Sequence, residues 1–178
     1  MLTRYPTADA LATKLRMLIA ILADTHLPKG SRRLPARCEE LVTRADALIH
    51  AGDITSAAEL DALRALGPPV HAVHGNVDEL ELRESLPAEL RLDFMGHRVG
   101  VVHDAGARRG RFERLERRFP ECEAVIFGHT HLPEHRAASG FQIFNPGSPT
   151  ERRRAPVRAM GLMKVRRASL RFEHVVLG

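Results

Sequence analysis

Five short polar clusters in the sequence contain the side chains that bind transition metals in proteins. Each cluster follows a short apolar run, and none contains a cysteine. The seven side chains are Asp24, His26, Asp53, Asn76, His103, His129 and His131. A mixed set of carboxylates and imidazoles favours manganese, iron, zinc, cobalt or nickel over calcium or magnesium alone. Seven ligands are too many for one ion, so the sequence predicts two ions that share one carboxylate.

Two of the clusters carry their side chains in pairs, one residue apart. Asp24 and His26 flank the threonine of "DTH", and His129 and His131 flank that of "GHTH". In extended backbone, residues i and i+2 project to the same side of a strand. We therefore expect each pair to turn both of its side chains toward one cleft.

The elements that must position these clusters alternate between apolar runs and helical segments. Strands are predicted at "MLIAIL", "ALIH", "VHAV", "HRVGVV" and "AVIF", each directly before a polar cluster. A helix is predicted at "SAAELDALRAL", opening on Ser56 with Glu59 three residues later as a capping box. Ligands of open α/β sheets bind beyond the carboxyl ends of the strands, where all five clusters stand.

The second half of the chain has a β-rich pattern. A hairpin is predicted from "LRLDFMG" and "HRVGVV", with a turn at Gly96 and His97. A basic helix is expected from about Arg111 to Phe119, and further strands at "FQIF", "VRAMGLMKV" and "LRFEHVV". The whole pattern predicts one α/β domain.

Composition describes an ordinary globular protein. The chain has 178 residues, of which 44% are apolar and 28% charged, and it has no apolar run long enough to span a membrane. Its two cysteines are far apart, which argues against a disulfide framework and favours free thiols in the cytoplasm. Basic residues before the short run "MLIAILA" are similar to a signal peptide. We interpret that run as a buried strand, residues 1–16 as a leader, and residues 17–178 as a single domain.

The chain is strongly basic, with a net charge of +5 and a pI of about 10.0. Basic surfaces attract phosphates and nucleic acids. The stretches "RRGRFERLERR" and "ERRRAPVR" lack interleaved aromatic residues, so we favour solvated faces over a nucleic-acid site. For residues 152–154, contact with a substrate phosphate is the alternative.

The ordered motifs resemble a known family. "DTH", "GD" in "HAGDI", "GN" in "HGNVD", the histidine of "VVHD", "GHTH" and "NPGS" match the calcineurin-like metallophosphoesterases from Met17 to about Val176. The likeness is greatest to the small single-domain phosphodiesterases of bacteria and archaea. The resemblance implies a four-layer αββα sandwich of two mixed sheets with a dinuclear centre at the strand ends. One ion would take Asp24, His26, Asp53 and His131, and the other Asp53, Asn76, His103 and His129, with Asp53 bridging.

The resemblance also implies an activity, hydrolysis of a small phosphodiester. Two cations about 3.5–4 Å apart lower the pKa of a bridging water and hold the phosphoryl oxygens, so that hydroxide attacks in line. Manganese is the first expectation, with iron, zinc, nickel and cobalt as alternatives. Asn76 would help to orient the phosphate.

One position departs from the superfamily pattern. Many members carry a histidine after the asparagine of "GN" that is thought to protonate the leaving group, but here that residue is Val77. His74 is the candidate substitute acid, and Asp78 is expected to orient a neighbouring ligand.

Two alternatives to the phosphodiesterase come from other functional classes. One is a non-catalytic protein-binding scaffold, as in the retromer subunit of the same fold. The other is a nuclease acting on single-stranded nucleic acid, which would show a steep salt dependence. No membrane partner is expected, and self-association into a homo-oligomer is left open.

Overall fold

A computed structural model describes residues 15–29 and 32–178 of the chain. Most of the proposed leader lies outside the described residues, and Arg16 already begins the first strand. The strands are β1 (Arg16–Leu22), β2 (Ala47–His50), β3 (Val70–Ala72), β4 (Glu89–Phe94), β5 (His97–Val102), β6 (Ala124–Phe127), β7 (Glu134–Ala138), β8 (Phe141–Asn145), β9 (Arg158–Arg166) and β10 (Ser169–Leu177). The helices are α1 (Ala36–Thr43), α2 (Ala57–Ala65), α3 (Leu80–Ser85) and α4 (Arg111–Arg118).

The strands form two mixed sheets of five strands each. In the first sheet the order is β10-β9-β1-β2-β3, and in the second it is β4-β5-β6-β8-β7. Strands β1, β2 and β3 run parallel, as do β5, β6 and β8. The carboxyl ends of these six parallel strands therefore lie at one edge of each sheet.

Three apolar clusters divide the molecule into layers. The central cluster joins side chains of both sheets, such as Ile19, Ile49 and Ile126. A second cluster packs the outer face of the first sheet against α1 and α2, and a third packs the second sheet against α4. The expected four-layer αββα arrangement of two mixed sheets is confirmed.

Strand β1 lies between two apolar layers, which explains its continuous apolar sequence. Ile19 and Ile21 face the opposite sheet, whereas Ala20 and Leu22 face the helices. A strand that is covered on both faces has no polar side to alternate. The run "MLIAIL" is therefore a core strand, as predicted.

The predicted start of α2 is confirmed. The Ser56 side chain accepts a hydrogen bond from the backbone N–H of Glu59, which satisfies one of the free donors of the first turn. No helix among the described residues is long and apolar enough to cross a membrane.

Three features of the second half differ from the sequence prediction. His97 is the buried first residue of β5 and does not lie in a turn, because Met95 and Gly96 form the turn with positive φ. Strand β7 was not predicted, since it is an almost fully exposed edge strand without apolar alternation. Helix α3 was missed because six residues are too few to show a helical period.

Candidate metal centre

All seven candidate ligands lie just beyond the carboxyl ends of the parallel strands. The loops after β1, β2 and β3 carry Asp24, His26, Asp53 and Asn76, and those after β5 and β6 carry His103, His129 and His131. The two sheets therefore contribute four and three side chains to one cleft between them. Backbone hydrogen bonds tie the loops together, for instance from Asp24 N–H to the Gly52 carbonyl at 3.0 Å.

The backbone at these ligands is not extended, so the expected reason for their convergence is wrong. Asp24, His26, Asp53, His129 and His131 have φ values of 55°, 47°, 58°, 67° and 59°. This left-handed region is unfavourable for residues with a Cβ, at roughly 1–2 kcal/mol each. The side chains of each pair converge because tight left-handed turns point them inward. Such strain is characteristic of functional sites that the surrounding structure holds in place.

The first group of donor atoms surrounds His26. Its Nε2 lies 3.2 Å from His131 Nε2, 3.6 Å from Asp53 Oδ2 and 3.9 Å from Asp24 Oδ1. His131 Nε2 is in turn 3.5 Å from Asp24 Oδ1. Two imidazoles and two carboxylates thus point their donor atoms at one small volume.

The second group of donor atoms surrounds His103. Its Nε2 lies 3.1 Å from Asn76 Oδ1, 3.3 Å from Asp53 Oδ2 and 3.3 Å from His129 Nδ1. His129 Nδ1 also lies 2.9 Å from Asn76 Oδ1. Asp53 Oδ2 is the atom that faces both groups.

The carboxylate of Asp53 is oriented from behind by the next loop. The backbone N–H of Val77 donates to Asp53 Oδ1 at 3.1 Å, which leaves Oδ2 for the cleft. Burial would raise the pKa of Asp53, but the hydrogen bonds from His103 and Val77 lower it to about 2. Gly75 permits this approach, because a Cβ there would lie 2.0 Å from Asp53 Oδ1.

The tautomer of His103 follows from its partner outside the cleft. His103 Nδ1 lies 2.8 Å from the carbonyl oxygen of Ala51, which can only accept a hydrogen bond. Nδ1 therefore carries a proton, and Nε2 is the nitrogen that faces the cleft. A metal-binding histidine is commonly held by such a carbonyl contact.

The buried polar atoms of this site fit divalent cations. Asp24 Oδ2 is buried and has no hydrogen-bond partner among the described residues. Burial raises the pKa of Asp24 to about 7, and the nearby charge of Asp53 adds to this effect. Burial also lowers the pKa of His131 to about 4, so its ring is neutral and can donate a lone pair. A carboxylate that is so poorly compensated by the protein needs a cation.

Asp78 holds two ligand loops together. Its Oδ1 accepts the Thr55 N–H and its Oδ2 accepts the Gly75 N–H, both at 2.6 Å. The structure thus connects Asp78 to the loops that carry Asp53 and Asn76. It acts on the backbone and makes no direct hydrogen bond to a ligand side chain that the structure describes.

The loop after β8 holds the "DTH" loop from the other side. Ser148 Oγ donates to the Asp24 carbonyl at 2.7 Å, and Thr150 Oγ1 donates to the Thr25 carbonyl at 2.6 Å. Asn145 Nδ2 donates to the Gly128 carbonyl at 2.8 Å, which anchors the "GHTH" loop. In the sequence, "NPGS" was recognised only as one of the motifs of the family resemblance, and this anchoring role was not predicted. Thr150, two residues further on, carried no signal of its own.

His74 lines a cavity that adjoins the second donor group. The cavity has a volume of about 240 Å³, and Asn76, His103, Arg83 and Arg118 also border it. The His74 ring is half-buried, and its Nδ1 lies 3.4 Å from the Gly75 carbonyl. His74 thus stands at the edge of the cleft without contacting the clustered donor atoms among the described residues.

Comparison with known proteins matches the chain to one family. Residues 17–168 match the family model of the calcineurin-like phosphoesterase superfamily domain. A probable metallophosphoesterase of Methanothermobacter thermautotrophicus is 34% identical over 136 residues, covering 75% of this chain and 78% of the relative. A probable metallophosphoesterase of Methanocaldococcus jannaschii is 37% identical over 139 residues, covering 75% and 69%.

Solved structures share the fold. A Thermotoga maritima protein is 28% identical with a TM-score of 0.72, covering 90% of this chain and 99% of its own. Wild-type Vps29 of Entamoeba histolytica, solved with Zn²⁺, is 22% identical with a TM-score of 0.70 and covers 90% and 99%. At this identity, the likeness to Vps29 concerns the fold alone.

Proposed function

The chain belongs to the calcineurin-like phosphoesterase superfamily, and from this premise we propose that it is a phosphodiesterase that works with two divalent metal ions. One ion would be held by Asp24, His26, Asp53 and His131, and the other by Asp53, Asn76, His103 and His129. Manganese is the first candidate metal, with iron, zinc, nickel and cobalt as alternatives. The cytoplasm is the proposed location.

One observation carries the proposal, the shared position of Asp53. Its Oδ2 lies 3.6 Å from His26 Nε2 and 3.3 Å from His103 Nε2, so a single carboxylate oxygen faces both groups of donor atoms. One ion would leave one of these groups unused. The buried and unpartnered Asp24 Oδ2 adds to the need for positive charge at this place.

Metal ions bound here would supply the positive charge that activates a water and holds the phosphoryl oxygens for in-line displacement. The protein supplies orientation. Val77 N–H and the Ala51 carbonyl fix the directions of Asp53 and His103. Asn76 Oδ1 faces the imidazoles of His103 and His129. Its side-chain amide can therefore donate to a phosphoryl oxygen.

The leaving group receives little help from the residue after Asn76. Val77 is 43% exposed and has no proton to give. His74 borders the adjoining cavity and is the candidate donor, because a substituent of the phosphate that enters this cavity comes near its ring. We therefore propose phosphodiesters with acidic leaving groups as the preferred substrates.

The nuclease alternative has less support, because the basic helix uses several arginines internally. Arg111 is buried, and its Nη1 lies 2.5 Å from Glu134 Oε2. Its guanidinium group also stacks over the Phe127 ring. Arg114 donates to the Ala105 carbonyl at 2.7 Å. These guanidinium groups stabilise α4 and are not free for a nucleic-acid backbone.

A protein-binding scaffold is the second candidate function, favoured by the fold likeness to Vps29. This candidate does not require turnover. The complete set of seven donor side chains argues for the enzyme, since a scaffold has no need of an open pair of metal sites.

The test is a screen of metals against substrates with the purified chain. Mn²⁺, Fe²⁺, Zn²⁺, Co²⁺ and Ni²⁺ are each combined with aryl phosphodiesters, cyclic nucleotides, phosphomonoesters and oligonucleotides, and bound metal is counted. We expect two ions per chain and the fastest turnover on aryl diesters. Metal binding without turnover of any ester would support the scaffold, and a single ion at saturation would contradict the shared role of Asp53.

A further inference from the structure

We propose that a group of basic side chains beside the metal centre binds a second phosphate group of the substrate. The group consists of Lys29, Arg32 and Arg153 around the carboxylate of Glu151, and is called here the Glu151 cluster. The inference rests on the proposed function and narrows its substrate class to phosphodiesters that carry another phosphate, such as nucleoside bisphosphate esters.

The contacts of Glu151 define the cluster. Its Oε1 lies 3.4 Å from Arg32 Nη2 and 3.9 Å from Lys29 Nζ, and its Oε2 lies 3.3 Å from Arg153 Nε. Three cations thus surround one carboxylate. A single negative charge cannot neutralise them, so the cluster keeps an excess of positive charge.

The cluster lies directly against the first group of donor atoms. Glu151 Oε2 is 3.8 Å from His131 Nδ1, and Ser148 Oγ accepts the Glu151 N–H at 3.0 Å while donating to the Asp24 carbonyl. The same short loop therefore carries Glu151 and Arg153 of the cluster and fixes a candidate metal ligand. An anion bound at the cluster would be a near neighbour of a phosphate at the metal centre.

Arg153 is the member best placed to reach a substrate. It has a φ of 47°, an unfavourable backbone conformation for an arginine, and its side chain is 50% exposed. The Glu151 contact occupies Nε, and the guanidinium retains outward N–H groups for a phosphate.

The chemistry of the cluster favours a phosphate over a carboxylate or a neutral group. The reacting phosphate is neutralised by the metal ions, whereas a second phosphate of the substrate needs its own cations. Planar guanidinium groups bind phosphate oxygens in pairs, and a lysine adds a mobile point charge. Arg32 is only 23% exposed and is held by Glu151, so it forms the fixed base of the cluster.

The test compares two substrates that differ only in the second phosphate. These are the p-nitrophenyl ester of thymidine 5′-phosphate and the same ester with an added 3′-phosphate. We expect the 3′-phosphate to raise kcat/KM by about tenfold or more, mainly through KM. Arg153→Ala should remove most of this preference, and Lys29→Ala part of it.

A single-stranded oligonucleotide cleaved faster still, with the same dependence on Arg153, would support the inference and identify nucleic acid as the source of the phosphate.

Arg154→Ala is the matched control, because Arg154 is an exposed arginine of the same loop. It should keep the wild-type preference for the ester with the 3′-phosphate.

A binding measurement accompanies turnover. Thymidine 3′,5′-bisphosphate should bind the metal-loaded protein more tightly than thymidine 5′-phosphate, and Arg153→Ala should abolish the difference. Equal kcat/KM for the two esters in the wild type, or an equal loss in Arg153→Ala and Arg154→Ala, would overturn the inference. Absence of turnover on both esters would instead contradict the proposed function, while the binding comparison would still judge the cluster.

Discussion

At the scale of single residues, Asp53 divides two tasks between its two oxygen atoms. Oδ1 accepts the Val77 N–H, and Oδ2 faces His26 and His103. Asp78 has the same chemical group, but both of its oxygens accept hydrogen bonds from backbone N–H groups. The two carboxylates therefore make a matched pair, in which one serves the cleft and the other serves the loops.

We expect Asp53→Asn to lower kcat/KM by more than about 10²-fold and to halve the bound metal, with little change in the melting temperature of the metal-free protein. An amide cannot neutralise two ions. Asp78→Asn should do the opposite, with a smaller loss of activity and about 1–3 kcal/mol of lost stability, because its NH₂ group would face a backbone N–H. Metal analysis, kinetics and thermal unfolding separate the two variants. If Asp78→Asn loses as much metal as Asp53→Asn, the proposed bridge is wrong.

Val77 allows a test of the leaving-group step. Across a series of phosphodiesters, we expect rates to fall steeply as the pKa of the leaving group rises, because general acid catalysis, typically worth about 10²–10⁴-fold, is weak here. Val77→His should flatten this dependence, since position 77 is exposed and follows Asn76. His74→Ala is the companion variant. A flat dependence in the wild type that becomes steep in His74→Ala would mean that His74 supplies the proton.

At the scale of elements, the loop after β8 helps to hold the "DTH" loop in place. Ser148 and Thr150 donate hydrogen bonds to carbonyl groups of the "DTH" loop. In this loop Asp24 and His26 have left-handed φ values, which are unfavourable for residues with a Cβ. The short strands only bring the loops to the edge of the sheet. The hydroxyl groups then hold the strained backbone in place.

We expect Ser148→Ala to destabilise the protein by about 1–3 kcal/mol, because the Asp24 carbonyl and the Glu151 N–H lose their partner. Metal affinity should fall by roughly 10–100-fold, as for other residues that orient ligands. Ser169→Ala is the control. Ser169 begins β10 and pairs with Arg166 of β9, beside the amino end of β1 and therefore away from the cleft. Unchanged metal affinity in Ser148→Ala would show that the loop after β8 does not hold the site.

The elements also show how far sequence reasoning could go. Strands such as β1 and β6 were predictable, because burial on both faces leaves an apolar run that stops at a polar cluster. The seven clustered side chains were predictable from their order along the chain. The left-handed turns at Asp24 and His129 were not, because only long-range contacts to other loops impose them. For the same reason the role of Thr150 was invisible, since its partner is 125 positions away in the chain.

At the scale of the whole molecule, several polar contacts join the two sheets, and the one made by His97 lies far from the cleft. His97 begins β5 in the second sheet, and its Nε2 lies 2.8 Å from the Arg166 carbonyl of β9 in the first. Its Nδ1 lies 2.9 Å from Glu123 Oε2. Burial lowers the pKa of His97, but these two acceptors outweigh burial and raise it above its ordinary value.

This contact predicts a pH-dependent part of the stability. A raised pKa in the folded state stabilises the protein below the ordinary histidine pKa, and the contribution is lost as pH rises through the folded value. The difference in unfolding free energy between the wild type and His97→Gln should therefore be larger at about pH 6 than at about pH 9. Chemical denaturation at both pH values measures it. A difference that is constant or grows with pH would contradict the charged state of His97.

The division of the ligands between the two sheets affects the lifetime of the protein as well as its catalysis. Four candidate ligands follow strands of one sheet and three follow strands of the other, so ions that bind them also clamp the two halves of the sandwich. Binding at about a thousand times Kd adds about 4 kcal/mol to folding stability. A chelator should therefore lower the melting temperature and speed proteolysis of the wild type, and do so less in Asp53→Asn. A cell short of metal would then lose this protein by degradation, and not only its activity.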